Sequence, residues 1–357
     1  MSTPADGRGA APATLDLRSG DIVEVRSARE ILATLDDRAA LDTLPFMPEM
    51  LRFSGQRFRV SRRADKTCDT IHQTGGRRMK ATVHLDDLRC DGEAHGGCQA
   101  GCLLFWKEAW LRRVPSDATA PAPAPPSAVT TGDAREPSAR ARLDAAARGV
   151  EEGGERFFCQ ATELLGASAP LPWWDPRQYL RDLFTGNVSA GQFVRGASYA
   201  GWGILRRHAD RLYSAAYVVY TRLRRRPAGR PDDGPAARAA PPAAAPAGAT
   251  PAPLDLRPGE RVKVRPRAEI QATLDRNSRN RGLYYDREMW RYSGGTYRVL
   301  RRVERIIDER TGRMVKFRTA CVVLDGVVCS GERSPRRLFC PRGIFSFWRE
   351  SWLHRID

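Results

Sequence analysis

Four cysteines, Cys68, Cys90, Cys98 and Cys102, follow one another as C-x21-C-x7-C-x3-C, with His72, His84 and His95 interspersed. Thiolate sulfur and imidazole nitrogen are the donors zinc prefers, and four of them complete a closed tetrahedral site. The expected metal set is therefore Cys68, Cys90, Cys98 and Cys102 around a structural zinc. The glycines of His95-Gly96-Gly97-Cys98-Gln99-Ala100-Gly101-Cys102 allow the tight turns such a loop needs. The spacing departs from paired CxxC knuckles, and buried cysteines also act as small apolar residues that exchange with isoleucine. That alternative, like disulfide pairing, stays open. A second chemistry would make Cys98 a nucleophile with His95 as its base. No Asn or Asp is placed to orient that base, and the chain has no Walker loop, GxGxxG or GxSxG. The sequence leans away from an enzyme.

The elements that must position these residues occur twice. Residues 15–114 and 254–356 are one module in two copies, at an offset of 239 up to Glu93 and of 242 beyond a three-residue insertion. Leu15-Asp16-Leu17-Arg18 returns as Leu254-Asp255-Leu256-Arg257, and Phe105-Trp106-Lys107-Glu108 as Phe347-Trp348-Arg349-Glu350. In the second copy Cys68 and Cys102 have become Ile307 and Ile344, whereas Cys90 and Cys98 persist as Cys329 and Cys340. Joint loss of two positions is what a shared site predicts, since half a metal site is useless. A set of Cys321, Cys329, Cys340 and His354 is a weaker alternative in module two, and Cys159 suits a core thiol.

Each module reads as mostly β. Ile22–Arg26 and its copy from Arg261 to Arg265 alternate apolar and polar residues, as a half-buried strand does. Ser27 with Glu30 has capping-box form and predicts a short helix over 28–35. Further strands are expected over 56–60, 81–85 and 110–114, with a helical insertion over 48–53. The opening GD or GE turn and the short strands resemble a small SH3-like barrel of the KOW type. With LPFMPEM (Leu44–Met50), CDGxxHGGCQAGC (Cys90–Cys102) and FWKEAWL (Phe105–Leu111), the chain resembles a set of bacterial proteins sharing these motifs, and that resemblance implies no activity.

The expected fold class is mainly β modules with helical insertions, α+β overall. Two tandem SH3-like barrels, 15–114 and 254–357, flank a helical middle segment, 151–226. They are joined by Pro/Ala-rich linkers, 115–150 and 227–253, too poor in bulky apolar groups to offset the entropy of ordering, and residues 1–14 share that character. In the middle segment Asp175, Pro176 and Gly186 mark the ends of one helix, and Ser189 with Gln192 opens a second. Leu205, Ala209, Leu212, Ala216, Val219 and Leu223 form an apolar stripe on it. Arg206, Arg207, His208, Asp210 and Arg211 interrupt that stripe, so it is too short for a transmembrane span.

Charge is divided unequally. Module one carries 17 basic against 15 acidic residues and module two 24 against 13, out of a total net charge of +17. Lys263, Arg265, Arg298, Arg301, Arg302, Arg336 and Arg337, with Tyr284, Tyr285, Trp290 and Tyr292 interleaved, predict phosphate contacts and base stacking. The expected function is a non-enzymatic binding protein that engages nucleic acid or another polyanion through module two, with module one stabilised by zinc. The alternative is a scaffold that docks on partner proteins or an anionic membrane surface through the helix 199–226. No basic and apolar leader opens the chain, and its eight cysteines then suit reduced thiols or metal ligands, so a cytoplasmic location is expected.

Overall fold

A computed structural model describes residues 14–115, 136–224 and 254–356. It is mixed α/β, with strands predominating and a few helices. The expected linker over 227–253, most of the other linker and nearly all of the N-terminal segment lie outside the described residues.

Module one contains β1 (Ile22–Val25), α1 (Ala28–Leu32), β2 (Ala40–Leu41), β3 (Leu44–Pro45), β4 (Arg57–Arg63), β5 (Lys66–Cys68), β6 (Gly76–Arg78), β7 (Thr82–Leu85), β8 (Trp106–Lys107) and β9 (Leu111–Arg113). Alternation works as the sequence predicts, because Val23 and Val25 are buried while Ile22 and Glu24 are not. The Ser27–Glu30 capping box is formed, and Pro48–Phe53 is a 3-10 helix. Five strands make an antiparallel sheet in the order β8-β7-β4-β1-β9. Its edges β8 and β9 are not paired with each other, so the expected barrel is not closed.

The middle segment contains α2 (Glu136–Ala146), β10 (Arg148–Glu151), β11 (Gly154–Phe157), β12 (Ala169–Leu171), α3 (Arg177–Phe184) and α4 (Ala190–Arg224). It is neither purely helical nor separate. β12 adds to β6 as the third strand of the β5–β6 hairpin, and Leu143, Leu164 and Ala167 complete the core of module one. The helix α2 lies where a linker was expected; its buried Leu143 supplies the apolar contact that Pro/Ala composition conceals. Gln160 inserts its amide between strands, donating to Phe105 O and accepting from Phe105 N, both at 2.8 Å.

Module two repeats the plan with β13 (Arg261–Val264), α5 (Arg267–Ala272), β14 (Arg279–Asn280), β15 (Leu283–Tyr284), β16 (Thr296–Ile307), β17 (Met314–Val328), β18 (Phe345–Arg349) and β19 (Leu353–Arg355), in the sheet order β18-β17-β16-β13-β19. Here β16 and β17 run as one long hairpin, where module one breaks the ladder into β4–β7 and β5–β6. The cores correspond residue by residue. Phe46, Trp106 and Trp110 return as Tyr285, Trp348 and Trp352, all buried. Burying each large aromatic contributes roughly 2–3 kcal/mol. Trp110 Nε1 donates to Thr34 Oγ1 at 3.2 Å and Trp352 Nε1 to Thr273 Oγ1 at 3.0 Å, so each indole's polar edge is satisfied in the same way.

Candidate functional site

The ligating atoms that converge in module one are not four thiols. Among the described residues the cluster of metal-ligand type is Glu49, Cys90 and His95, whose donor atoms all lie within 4.8 Å of one another. Glu49 comes from the 3-10 helix Pro48–Phe53, and His95 from the short helical turn Glu93–His95. Glu49 Oε1 accepts from the Cys90 thiol at 2.9 Å and faces His95 Nδ1 at 3.0 Å, while His95 Nε2 faces Phe158 O at 3.2 Å. Both imidazole nitrogens therefore face acceptors. A neutral ring has one N–H and satisfies one of them; meeting both requires a second proton or a cation. Glu49 Oε2 is buried with no partner. Burial raises the Glu49 carboxyl, but the hydrogen bond and charge of His95 hold it below its ordinary value. Burial, then Glu49, pushes the Cys90 thiol up.

The other three expected ligands are not members of this cluster, although Cys90 N donates to Cys102 O at 2.9 Å. Cys98 Sγ accepts from Ile307 N at 3.4 Å, in module two. Cys68 lies beside Cys340, also in module two, between the bonds from Lys66 to Leu338 and from Arg342 to Thr70. Cys102 is pushed up to about 12, first by burial. The set Cys68, Cys90, Cys98 and Cys102 is therefore corrected, with only Cys90 retained: two of the sulfurs face the other repeat, which spacing along one module could not reveal. Glu49 was missed, although a carboxylate inside the apolar run LPFMPEM, repeated as Glu288, was a legible signal. In module two Glu288 accepts from Ser330 Oγ at 2.9 Å and Arg333 N at 2.6 Å, so neutral donors satisfy it.

The nominated basic residues divide into two groups. Arg302 pairs with Glu350 at 2.9 Å and Asp255 at 3.2 Å, Arg337 with Asp286 at 2.6 Å, and Arg265 with Glu269 at 3.3 Å. Arg301 lies over Phe345, and burial lowers its pKa. These four are engaged within the fold. Lys263, Arg298 and Arg336 are exposed, and so is Arg261, which alternates with Lys263 along the same strand. In register, Arg261 lies opposite Arg298, and Lys263 lies opposite Thr296 and His354. Among the described residues Arg261, Lys263 and Arg298 enter no ion pair. The stacking residues fare less well. Tyr285 is buried, Tyr292 packs on the core and the guanidinium of Arg267 covers Trp290 at 3.4 Å, which leaves Tyr284 exposed.

The same face of module one is neutralised. Glu24 lies opposite Arg57 and Arg112 and pairs with both, at 3.4 and 3.7 Å. Glu24, Arg57 and Arg112 correspond to Lys263, Thr296 and His354, so three substitutions in the repeat together turn a compensated face into an uncompensated one. No protein-family model, curated protein or solved structure matches the chain.

Proposed function

We propose that this chain is a non-enzymatic binding protein whose second module engages a polyanion, nucleic acid foremost, through the outer face of β13, β16 and β19. The observation that carries this reading is the reversal at Glu24 and Lys263. Like charges directly opposite across strands destabilise a sheet, and Arg261 opposite Arg298 beside Lys263 is relieved when phosphates supply the missing charge. With most aromatics buried or covered, the recognition is of backbone phosphate rather than of bases. In the full-length protein, Lys263→Glu with Arg298→Glu should weaken nucleic-acid binding at least about tenfold at low salt and flatten its salt slope by about 0.9 for each phosphate that is no longer neutralised. Arg57→Glu in module one should change little. Unaltered binding by the double variant would overturn the reading.

Zinc in module one belongs to the same proposal, at Glu49, Cys90 and His95. Nitrogen, sulfur and oxygen donors are an ordinary zinc set, and Phe158 O fixes the imidazole from behind, as outer carbonyls do around ligating histidines. Purified full-length protein should carry close to one zinc per chain, lost in His95→Ala and Cys90→Ser but kept in Cys68→Ser. A folded, zinc-free protein after growth in zinc would assign the cluster to a His95–Glu49 ion pair instead.

A second reading has its own observation. The start of α4 is anchored, with Phe193 stacked on Phe339 at 5.7 Å. Beyond it Trp202, Leu205 and Leu212 are 66%, 61% and 72% exposed along one stripe. The helix carries six arginines and one aspartate, which suits an anionic bilayer surface. Binding to phosphatidylserine vesicles, absent with neutral vesicles and lost on deleting residues 189–226 while nucleic-acid binding persists, would support it; no difference between the vesicles would sink it.

A further inference from the structure

The two repeats meet where β5 ends at Cys68 and the chain approaching Cys340 crosses it. Lys66 Nζ donates to Leu338 O at 2.8 Å, and Arg342 Nη1 donates to Thr70 Oγ1 at 2.8 Å. Residues two positions to either side of Cys340 are thus bonded to residues two positions to either side of Cys68. Those two ties flank both cysteines and set the thiols side by side; both are reduced, and they are 2% and 4% exposed. The equivalent crossing brings Cys98 to Ile307, with the sulfur accepting a backbone N–H. Of two crossings that correspond in the repeat, one holds two sulfurs and the other one. Packing alone does not explain the difference, since isoleucine fills the Cys68 position in the other copy.

The surroundings of Cys68 favour reaction. The neighbouring Cys340 thiol lowers its pKa, burial opposes this, and the guanidinium groups of Arg342 and Arg337 lower it further against Glu309. Cys340 is raised correspondingly and stays a thiol. A thiolate in a cationic setting beside a neutral thiol is the arrangement of an attacking and a resolving cysteine. By contrast Cys102, Cys159, Cys321 and Cys329 are all raised by burial.

We propose that Cys68 and Cys340 are a hydroperoxide-responsive pair that closes to a disulfide stitching the two repeats together. The Cys68 thiolate attacks the terminal peroxide oxygen; an S–O bond forms, the O–O bond breaks, and the alkoxide or hydroxide takes up the proton that Cys68 had released. The Cys340 sulfur then attacks the Cys68 sulfur, an S–S bond forms, and the S–O bond breaks. The departing hydroxide leaves as water with the Cys340 proton. Two thiols have lost two electrons, and one peroxide has become an alcohol, or water, plus water. The oxidant must be small, because both sulfurs lie beneath the surface.

The test treats the folded full-length protein with hydrogen peroxide, blocks residual thiols after denaturation, and maps the peptides by mass spectrometry. A peptide joining Cys68 to Cys340 should form at least tenfold faster than oxidation of Cys159 or Cys321, and the protein should run faster on a non-reducing gel. Cys68→Ser and Cys340→Ser should each abolish it, while Cys98→Ser should leave it unchanged. If a serine variant fails to fold, the rate at which hydrogen peroxide consumes each thiol of the folded, unaltered protein decides instead, since Cys68 should be oxidised faster than Cys159. Joined peptides involving other cysteines, or Cys68 reacting no faster than Cys159, would overturn the proposal.

Discussion

Thr70 and Glu309 hold the same place in the two repeats, and the hydroxyl of the first donates to the carboxylate of the second. A residue can meet its own counterpart only near a two-fold axis, so the modules pack on each other as the subunits of an isologous dimer do. The other contacts agree. The Cys98 loop of module one lies on β16, with Gln99 bonded to Glu304 and Arg305, while the Cys340 loop of module two lies on β5. Each copy reaches across with the loop that the sequence alone assigned to a metal within one copy.

Arg342 holds that axis together. Its buried guanidinium donates to Thr70 Oγ1 and to Glu309 Oε1, both at 2.8 Å, and the carboxylate raises its pKa against burial. Replacing Arg342 with Met removes one member of a largely buried pair and leaves Glu309 uncompensated, which should cost about 3 kcal/mol. The urea midpoint measures it; a loss under about 0.5 kcal/mol would show that the pair adds little.

A carboxylate–arginine pair recurs in both modules and makes a graded prediction. Glu108 accepts from Leu15 N, Leu17 N and Arg63, and both side chains are buried. Glu350 accepts from Leu256 N and Arg302, but Arg302 is 29% exposed. Glu108→Gln should therefore cost about 3–5 kcal/mol, and Glu350→Gln distinctly less, because water relieves Arg302. Equal losses by chemical denaturation would contradict this.

The duplication was legible because the copies match at a constant offset, and the first strand of each copy, the capping box at Ser27, the insertion over 48–53 and the helix starting near Ala190 because each is encoded by neighbouring residues. The β5–β6–β12 sheet was not, since Ala169–Leu171 finds its partner across about ninety residues of chain. The metal set failed for the same reason. Spacing reports proximity along the chain, whereas Cys68 and Cys98 find their partners in the other repeat, and Glu49, a genuine neighbour of Cys90, lies 41 residues away.

His84 gives the pH dependence. Its Nδ1–H donates to Leu104 O at 2.8 Å, its Nε2 is buried without a partner, and burial pushes its pKa down to about 3. The folded value lies below the unfolded one of about 6.5, so the stability it contributes is present in full above pH 6.5. It is lost as pH falls from there toward 3, by about 2 kcal/mol at pH 5. The difference in unfolding free energy between the unaltered protein and His84→Gln should shrink by that amount between pH 7 and pH 5. A constant difference would show that the ring accepts a proton without unfolding.

Gly92 tests whether the loop geometry governs the cluster. It sits at φ +76°, and an added Cβ would lie 2.0 Å from the carbonyl oxygen of Cys98, so the loop carrying His95 and Cys98 must shift. Gly55 has nearly the same conformation, φ +72°, with nothing within 4 Å of such a Cβ. Gly55→Ala should thus cost only the backbone strain, about 1 kcal/mol. Gly92→Ala carries that strain plus the collision, and should lose at least about 2 kcal/mol together with the bound zinc. Equal losses, with zinc kept in both, would mean that the loop accommodates the methyl group and that its close approach does not set the position of His95.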